Sequence, residues 1–254
     1  MSKNGHVISE INDKGIAIIE FGHPQSNSLP GQVLGDLAKA ITDISAKNEV
    51  KVVVLKSAGD RAFCAGASFD ELIAIKDLDE GKQFFSGFAG VINACRKSKK
   101  LIIGRVQGKA VGGGVGVASA VDYCFATKHA AVKLSELAIG IGPYVVGPAV
   151  ERKVGLSAMS TMTINATKWF DAEWAREKGL YAEVYETAEE MDAAVMELAE
   201  KLAGSNPESM AMLKKIFWEG TEQWDNLLKV RAAMSGELVL SDFTVNAINA
   251  FKSK

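Results

Sequence analysis

Six glycines fall within thirteen positions: Gly104, Gly108, Gly112, Gly113, Gly114 and Gly116. The string Gly108-Lys109-Ala110-Val111-Gly112-Gly113-Gly114-Val115-Gly116-Val117-Ala118-Ser119 follows an apolar strand, Leu101–Val106, and leads into a helix of small residues. Glycines at such a junction bring a helix N-terminus close to a ligand, and its unpaired N–H groups and dipole favour negative charge. Two phosphate motifs fail on spacing. A P-loop needs G-x-x-x-x-G-K-[ST], but Lys109 precedes the glycine triplet. A dinucleotide fingerprint needs a glycine where Ser119 stands. Two readings remain: a backbone cradle for an anion, including one formed only during reaction, or tight helix–strand packing.

The chain around this junction alternates strand and helix signals. His6–Ile11 and Gly15–Phe21 read as strands joined by a short turn. A helix follows, with Leu34, Leu37, Ile41 and Ile44 along one face. Lys51–Lys56 carries Val52-Val53-Val54-Leu55, an apolar run suited to a buried parallel strand. Gly81–Cys95 is helical, with Phe84, Phe88, Val91, Ile92 and Cys95 in phase, and Asp122–Ala126 supplies a further strand. Strands separated by helices imply an α/β fold with right-handed crossovers. After residue 150 the strand signals thin out to Tyr181–Tyr185. Thr187 and Glu190 form a capping box. The helix behind it carries Met191, Val195, Leu198 and Leu202 and is stopped by Gly204 and Pro207. Two or three more helices complete the chain.

Composition removes several function classes. The 254 residues hold 29 basic and 31 acidic side chains, a net charge of −2, with 48% hydrophobic residues. That excludes a disordered or collagen-like chain and argues against a polybasic nucleic-acid module. No uncharged run approaches the roughly 20 apolar residues that cross a bilayer. Met1–His6 has no apolar signal segment, so a cytoplasmic protein without membrane partners is expected. Cys64, Cys95 and Cys124 are odd in number and widely spaced, and read as reduced thiols. No metal-ligand spacing is present.

A second small-residue loop changes the weight of the first. Phe63-Cys64-Ala65-Gly66-Ala67-Ser68-Phe69-Asp70-Glu71-Leu72 follows the strand at Lys51–Lys56 and leads into a helix. Two such loops, each behind a parallel strand, can aim two N–H groups at one oxygen and so form an oxyanion hole. With these loops, with Asn27-Ser28-Leu29, Val106-Gln107-Gly108 and Leu134-Ser135-Glu136-Leu137-Ala138-Ile139-Gly140, and with Ala172–Glu183, the sequence resembles the enoyl-CoA hydratase/isomerase (crotonase) superfamily over nearly its whole length. The resemblance implies a crotonase-like α/β spiral of ββα repeats, residues 1–200, with the CoA-ester site. It also implies a C-terminal helical region, residues 201–254, for trimerisation and site closure. The substrate it implies is an acyl-CoA thioester, with CoA carried by the substrate and no separate cofactor. Its oxyanion donors correspond to the Ala67 and Gly113 amides.

Glu136 stands in the otherwise apolar stretch Ala131–Val150, broken by Lys133 and a few small polar residues. By resemblance it is the acid/base glutamate, and a half-buried site would raise its pKa toward neutrality. Gly116 occupies the position where many hydratases of the family carry a second glutamate. One carboxylate suffices for moving a double bond, which leans toward Δ3,Δ2-enoyl-CoA isomerase. The Ser135-Glu136 and Pro143-Tyr144-Val145-Val146 surroundings instead resemble single-glutamate hydratases of the methylglutaconyl-CoA type. Hydration of a 2-enoyl-CoA, branched and dicarboxylic acyl groups included, is therefore the leading expectation. Isomerase, decarboxylase and a non-catalytic binding protein are the alternatives. Tyr144 is a secondary donor or a pocket-lining aromatic.

Other candidates are weaker. His6, His23 and His129 suggest no Ser-His-Asp set, Gly66-Ala67-Ser68-Phe69-Asp70 misses G-x-S-x-G at its last position, and Cys64 reads as an apolar filler. The resemblance puts the CoA adenine near Ser26 and Ala65, with Gly66 and Gly112 also among the substrate-binding residues. Phosphates would meet Lys254 or Lys252 from a neighbouring subunit. Phe243, Val245, Ile248 and Phe251 make the C-terminal segment too apolar for a free tail. It is expected to dock on a neighbour or a neighbouring core, giving a homotrimer or a dimer of trimers.

Overall fold

A computed structural model describes residues 4–252. Six strands form the main sheet: β1 (His6–Ile11), β2 (Ile16–Gly22), β3 (Val52–Ser57), β4 (Leu101–Val106), β6 (Tyr123–Thr127) and β8 (Glu183–Tyr185). They lie in that order, antiparallel between β1 and β2 and parallel from β2 onward. The all-apolar run in β3 is explained by burial on both faces. Val53 and Leu55 enter the main core, whereas Val52 and Val54 pack with Met191, Val195 and Ala199 of α7 (Ala188–Ala203) on the other side.

A second, much shorter ladder runs beside this sheet. Leu29 bridges Ala67, Cys64 bridges Ala110, β5 (Ala110–Val111) pairs with β7 (Val132–Lys133), and Val132 bridges Phe170. Each turn of chain thus supplies one long strand, one short pairing and then helix, which is the repeated ββα unit expected. The helices behind successive turns are α1 (Gly31–Ala46), α2 (Phe69–Ala74) with α3 (Leu78–Lys97), α4 (Gly113–Ala120) and α5 (Gly147–Ile164). Gly155, at φ 74° and ψ 161°, breaks α5 into two helical stretches.

Boundaries differ from expectation where side chains outside the apolar pattern set them. Asp77 caps α3 through the Glu80 amide, so the helix begins before Gly81. Pro207 does not merely end a helix: with Asn206 as cap it opens α8 (Pro207–Phe217). The Thr187–Glu190 capping box is present, and Gly204 closes α7. After α6 (Ala172–Glu177), α7 and α8 come α9 (Trp224–Leu238) and α10 (Asp242–Lys252). In α10, Thr244 and Ile248 are buried against the chain's own core, while Phe243 and Val245 are exposed. No described helix is long and apolar enough to cross a membrane.

Candidate active site

The short ladder is what assembles the site. Cys64 donates its N–H to the Lys109 carbonyl at 3.2 Å and accepts from the Val111 N–H at 2.9 Å. Gly112 donates to the Lys133 carbonyl at 2.8 Å, which ties the glycine loop to β7. These pairings bring the two loops into contact: a methyl group on Gly66 would lie 2.9 Å from the Val111 oxygen and 3.8 Å from the Gly113 nitrogen. The next two amides, Ala67 and Gly113, have no acceptor among the described residues. Gly113 opens α4 behind Gly112, so its N–H is one of the orphan donors of a helix start. Both amides border one narrow cavity of about 60 Å³, together with Glu136 and Tyr144.

Glu136 begins a single 3-10 turn, Glu136–Ile139, just behind β7. Its carboxyl leans on Gly112, where a Cβ would come within 2.9 Å of Oε1. The residue as a whole is half-buried, yet Oε2 is enclosed and has no hydrogen-bond partner. Burial pushes this carboxyl up to about 7, against a smaller pull downward from its own backbone amide. A group at that value can both take and give a proton near neutral pH. Two fixed N–H donors and one such carboxyl can stabilise a developing oxyanion while moving a proton beside it.

The walls explain the glycines in a way the sequence did not reveal. A Cβ on Gly113 would sit 2.1 Å from Cε1 of Phe88, and one on Gly116 would sit 2.4 Å from Cγ1 of Val146. The space a side chain at residue 116 would need is filled by an isopropyl group. Phe88 reads from spacing only as helix core, and Val146 only as part of an apolar string. Neither pattern announces a partner across the cavity. Tyr144 lays its ring over Gly142, half-buried, and its hydroxyl has no partner among the described residues.

The residues assigned to CoA are gathered unevenly. Ser26, at φ 53°, accepts the Ala65 N–H at 3.1 Å, so the two adjoin. Gly66 and Gly112 line the cavity, and Ala65 lies between it and an adjoining groove of about 670 Å³ that reaches Lys133, Trp169 and Ala247. Lys254 lies outside the described residues, as do the side chains of Phe251 and Lys252. His23 spends its Nδ1 on Gln25 N–H and the Ser28 hydroxyl. Cys64 is buried, and burial pushes its thiol up to about 12, which suits a filler. Among the described residues no cluster of His, Cys, Asp or Glu could hold a metal ion.

The family described as enoyl-CoA hydratase/isomerase matches residues 11–252. The short-chain-enoyl-CoA hydratase of Clostridium acetobutylicum is 29% identical over 94% of this chain and 92% of its own. The mitochondrial methylglutaconyl-CoA hydratase of Rattus norvegicus is 27% identical over 96% of this chain and 79% of its own. The crystal structure of enoyl-CoA hydratase from Bacillus halodurans superposes with a TM-score of 0.88, at 19% identity, over 96% of this chain and 99% of the other. With its spiral fold, and with residues 11–252 matched, this chain is an enzyme of the enoyl-CoA hydratase/isomerase family.

Proposed function

We propose that the protein adds water across the double bond of a 2-enoyl-CoA. Glu136 moves the protons, and the Ala67 and Gly113 amides hold the thioester oxygen. The observation that carries this reading is an enclosed carboxyl, its Oε2 without a partner, sharing one cavity with two unspent backbone N–H groups. In the forward step the Glu136 carboxylate takes a proton from water as the water oxygen bonds to C3. The double-bond electrons shift onto the thioester oxygen, where the two N–H groups meet the charge. The enolate then collapses, C2 takes the proton from Glu136, and the carboxylate is restored. One water is added and nothing else is consumed. Backbone donors suit the task because they neither titrate nor reorganise.

The acyl end is apolar, walled by Leu72, Phe85, Phe88, Val145 and Val146. Among the described residues no lysine, arginine or histidine lines that cavity. A second carboxylate there would be buried without a partner, which costs several kcal/mol. Short apolar acyl groups, straight or branched, therefore fit better than dicarboxylic ones. Ser26 and Ala65 take the adenine side, with Gly66 and Gly112 along the ester.

The Gly116–Val146 packing favours a second reading, Δ3,Δ2-enoyl-CoA isomerisation. With no second carboxylate to hold a water, Glu136 would carry a proton from C2 to C4 of a 3-enoyl-CoA. Incubation with 2-enoyl- and 3-enoyl-CoAs in ¹⁸O-water separates the two. Hydration adds one labelled oxygen at C3. A 3-enoyl-CoA converted faster than any 2-enoyl-CoA is hydrated, without mass gain, would replace hydratase by isomerase.

The proposal extends to assembly. Met212, Ile216, Phe217, Phe243 and Val245 are exposed on α8 and α10, more apolar surface than terminal helices need alone. A homotrimer or a dimer of trimers would cover it. Light scattering that finds a monomer at micromolar concentration would overturn this assembly.

A further inference from the structure

The cavity that holds Glu136 also has a wall built by two helices, and one polar side chain stands in it. Helix α9 runs antiparallel to α3: Asp225 meets Arg96 at 3.1 Å near one end, and Gly236 meets Gly81 near the other. A Cβ on Gly81 would lie 2.8 Å from the Gly236 Cα, and one on Gly236 would lie 2.7 Å from the Lys82 nitrogen. The two glycines let the helix backbones touch, which carries the neighbouring Ser235 in to line the cavity. Ser235 is 1% exposed, and its hydroxyl has no hydrogen-bond partner among the described residues. Its oxygen is nevertheless not fully enclosed, unlike Glu136 Oε2. The surface it keeps opens on the cavity.

The other residues of this wall, Leu72, Phe85 and Phe88, are hydrocarbon. Position along α3 gives the distance from the chemistry. Phe88 lies against Gly113, and Gly81 comes seven residues earlier, about 10 Å away by the rise of an α-helix. Ser235 therefore faces the distal part of an acyl group and not the carbons that react. A plain chain filling the cavity would leave this buried hydroxyl unpaired, whereas a substituent oxygen at that depth would pair it. No cation lines the cavity beside it among the described residues, so the matching group is neutral. A hydroxyl both donates to and accepts from a serine, and so pairs with it in either sense. We propose that Ser235 hydrogen-bonds a hydroxyl near the far end of the acyl group, and so selects hydroxylated acyl-CoAs over hydrocarbon chains of the same size. The assignment rests on the acyl-CoA reading above and names the acyl group that the site prefers.

The test compares kcat/KM for enoyl-CoAs bearing a hydroxyl at C5 or C6 with those bearing a methyl group in its place, each as the 2-enoyl and the 3-enoyl isomer. Wild type is expected to prefer one hydroxylated ester about five- to tenfold, the scale of one neutral hydrogen bond. Ser235→Ala takes one oxygen from a helix and suits helix propensity, so the variant should fold. It should bring the ratio to within about twofold, slowing the hydroxylated ester and speeding the methyl one. Ser235→Cys, with a weaker donor of similar size, should fall between. Equal kcat/KM for the two esters in active wild type would overturn the Ser235 assignment alone. A preference that survives Ser235→Ala would do the same. An equal loss on both esters in that variant would also overturn it, because a merely structural role produces that result. Wild type that converts neither isomer of any ester would overturn the acyl-CoA reading, and this assignment with it.

Discussion

Asp122 and Glu136 stand at opposite ends of one spiral turn, one just before β6 and the other just after β7, and both have buried carboxyl groups. Asp122 takes Lys214 Nζ at 2.8 and 2.6 Å, Trp218 Nε1 at 3.0 Å and the Ile102 N–H at 2.7 Å. Lys214 and Asp122 side chains are 3% and 6% exposed, so the pair is sealed. Lys153 adds a hydrogen bond to the Asp122 carbonyl at 2.9 Å. Glu136 Oε2 has none of this. The same chemical group is a clamp in one place and, in the proposed reaction, a proton carrier in the other, and the number of donors around it separates the two. A carboxylate enclosed by donors serves as a fixed partner in an ion pair. An unsatisfied one is held near the point of exchange.

The comparison breaks most visibly at Glu136. Glu136→Gln keeps the shape and removes the exchangeable proton, so kcat should fall by about 10²- to 10⁴-fold with KM within a factor of two. Steady-state kinetics on the best substrate of the panel measures both. An unaffected kcat would transfer the proton role to Tyr144.

The mirror experiment is Asp122→Ala, which strands Lys214 without its partner. Breaking a buried pair from one side costs about 3–5 kcal/mol, read by denaturant unfolding. The folded fraction should retain kcat, because the clamp ties α8 to the strands β4 and β6 and does not border the cavity. Asp122→Asn with Lys214→Met should recover much of the loss. A folded, fully stable Asp122→Ala protein would show that donor count is not what separates the two sites.

A smaller effect has the opposite sign. In the fold Glu136 titrates at about 7, above its ordinary 4.5, so the native state holds that proton more tightly than the unfolded chain. The stability this contributes is complete below the unfolded value and is lost as pH rises through 7. At pH 8, Glu136→Gln should therefore be more stable than wild type by up to about 3 kcal/mol, and near pH 4 the two should coincide. Melting curves across that window give the difference, and a variant less stable at pH 8 would contradict it. The mildest expectation concerns rate: kcat/KM for hydration should rise with pH through a midpoint around 7 and level off above it, since the base must be ionised. A flat profile from pH 5.5 to 8.5 would remove Glu136 as the base.

What the sequence made legible was local. Short apolar runs marked the strands β2, β3 and β4, and β4 falls at Leu101–Val106 as read. The glycine clusters gave the two loops, because glycine marks close backbone approach whatever the fold around it. Glu136 stood out as a charge in an apolar stretch. The Asp122–Lys214 clamp was not legible, since its partners lie 92 residues apart and each looks like an ordinary surface charge. Val146 filling the space beside Gly116, and Gly236 meeting Gly81, were hidden for the same reason: each contact joins segments far apart, and no pattern along the chain encodes it.

The short ladder between the loops has a bearing on how such an enzyme diversifies. The oxyanion donors proposed here are main-chain groups, so among coded substitutions only proline would delete one. Inheritance acts on side chains, and here it can rewrite Glu136, Tyr144 or the Gly116–Val146 wall while the anion-holding frame passes through unaltered. A lineage built on this scaffold can change which proton moves and which acyl group is admitted one residue at a time, without first dismantling the part that makes thioester chemistry feasible.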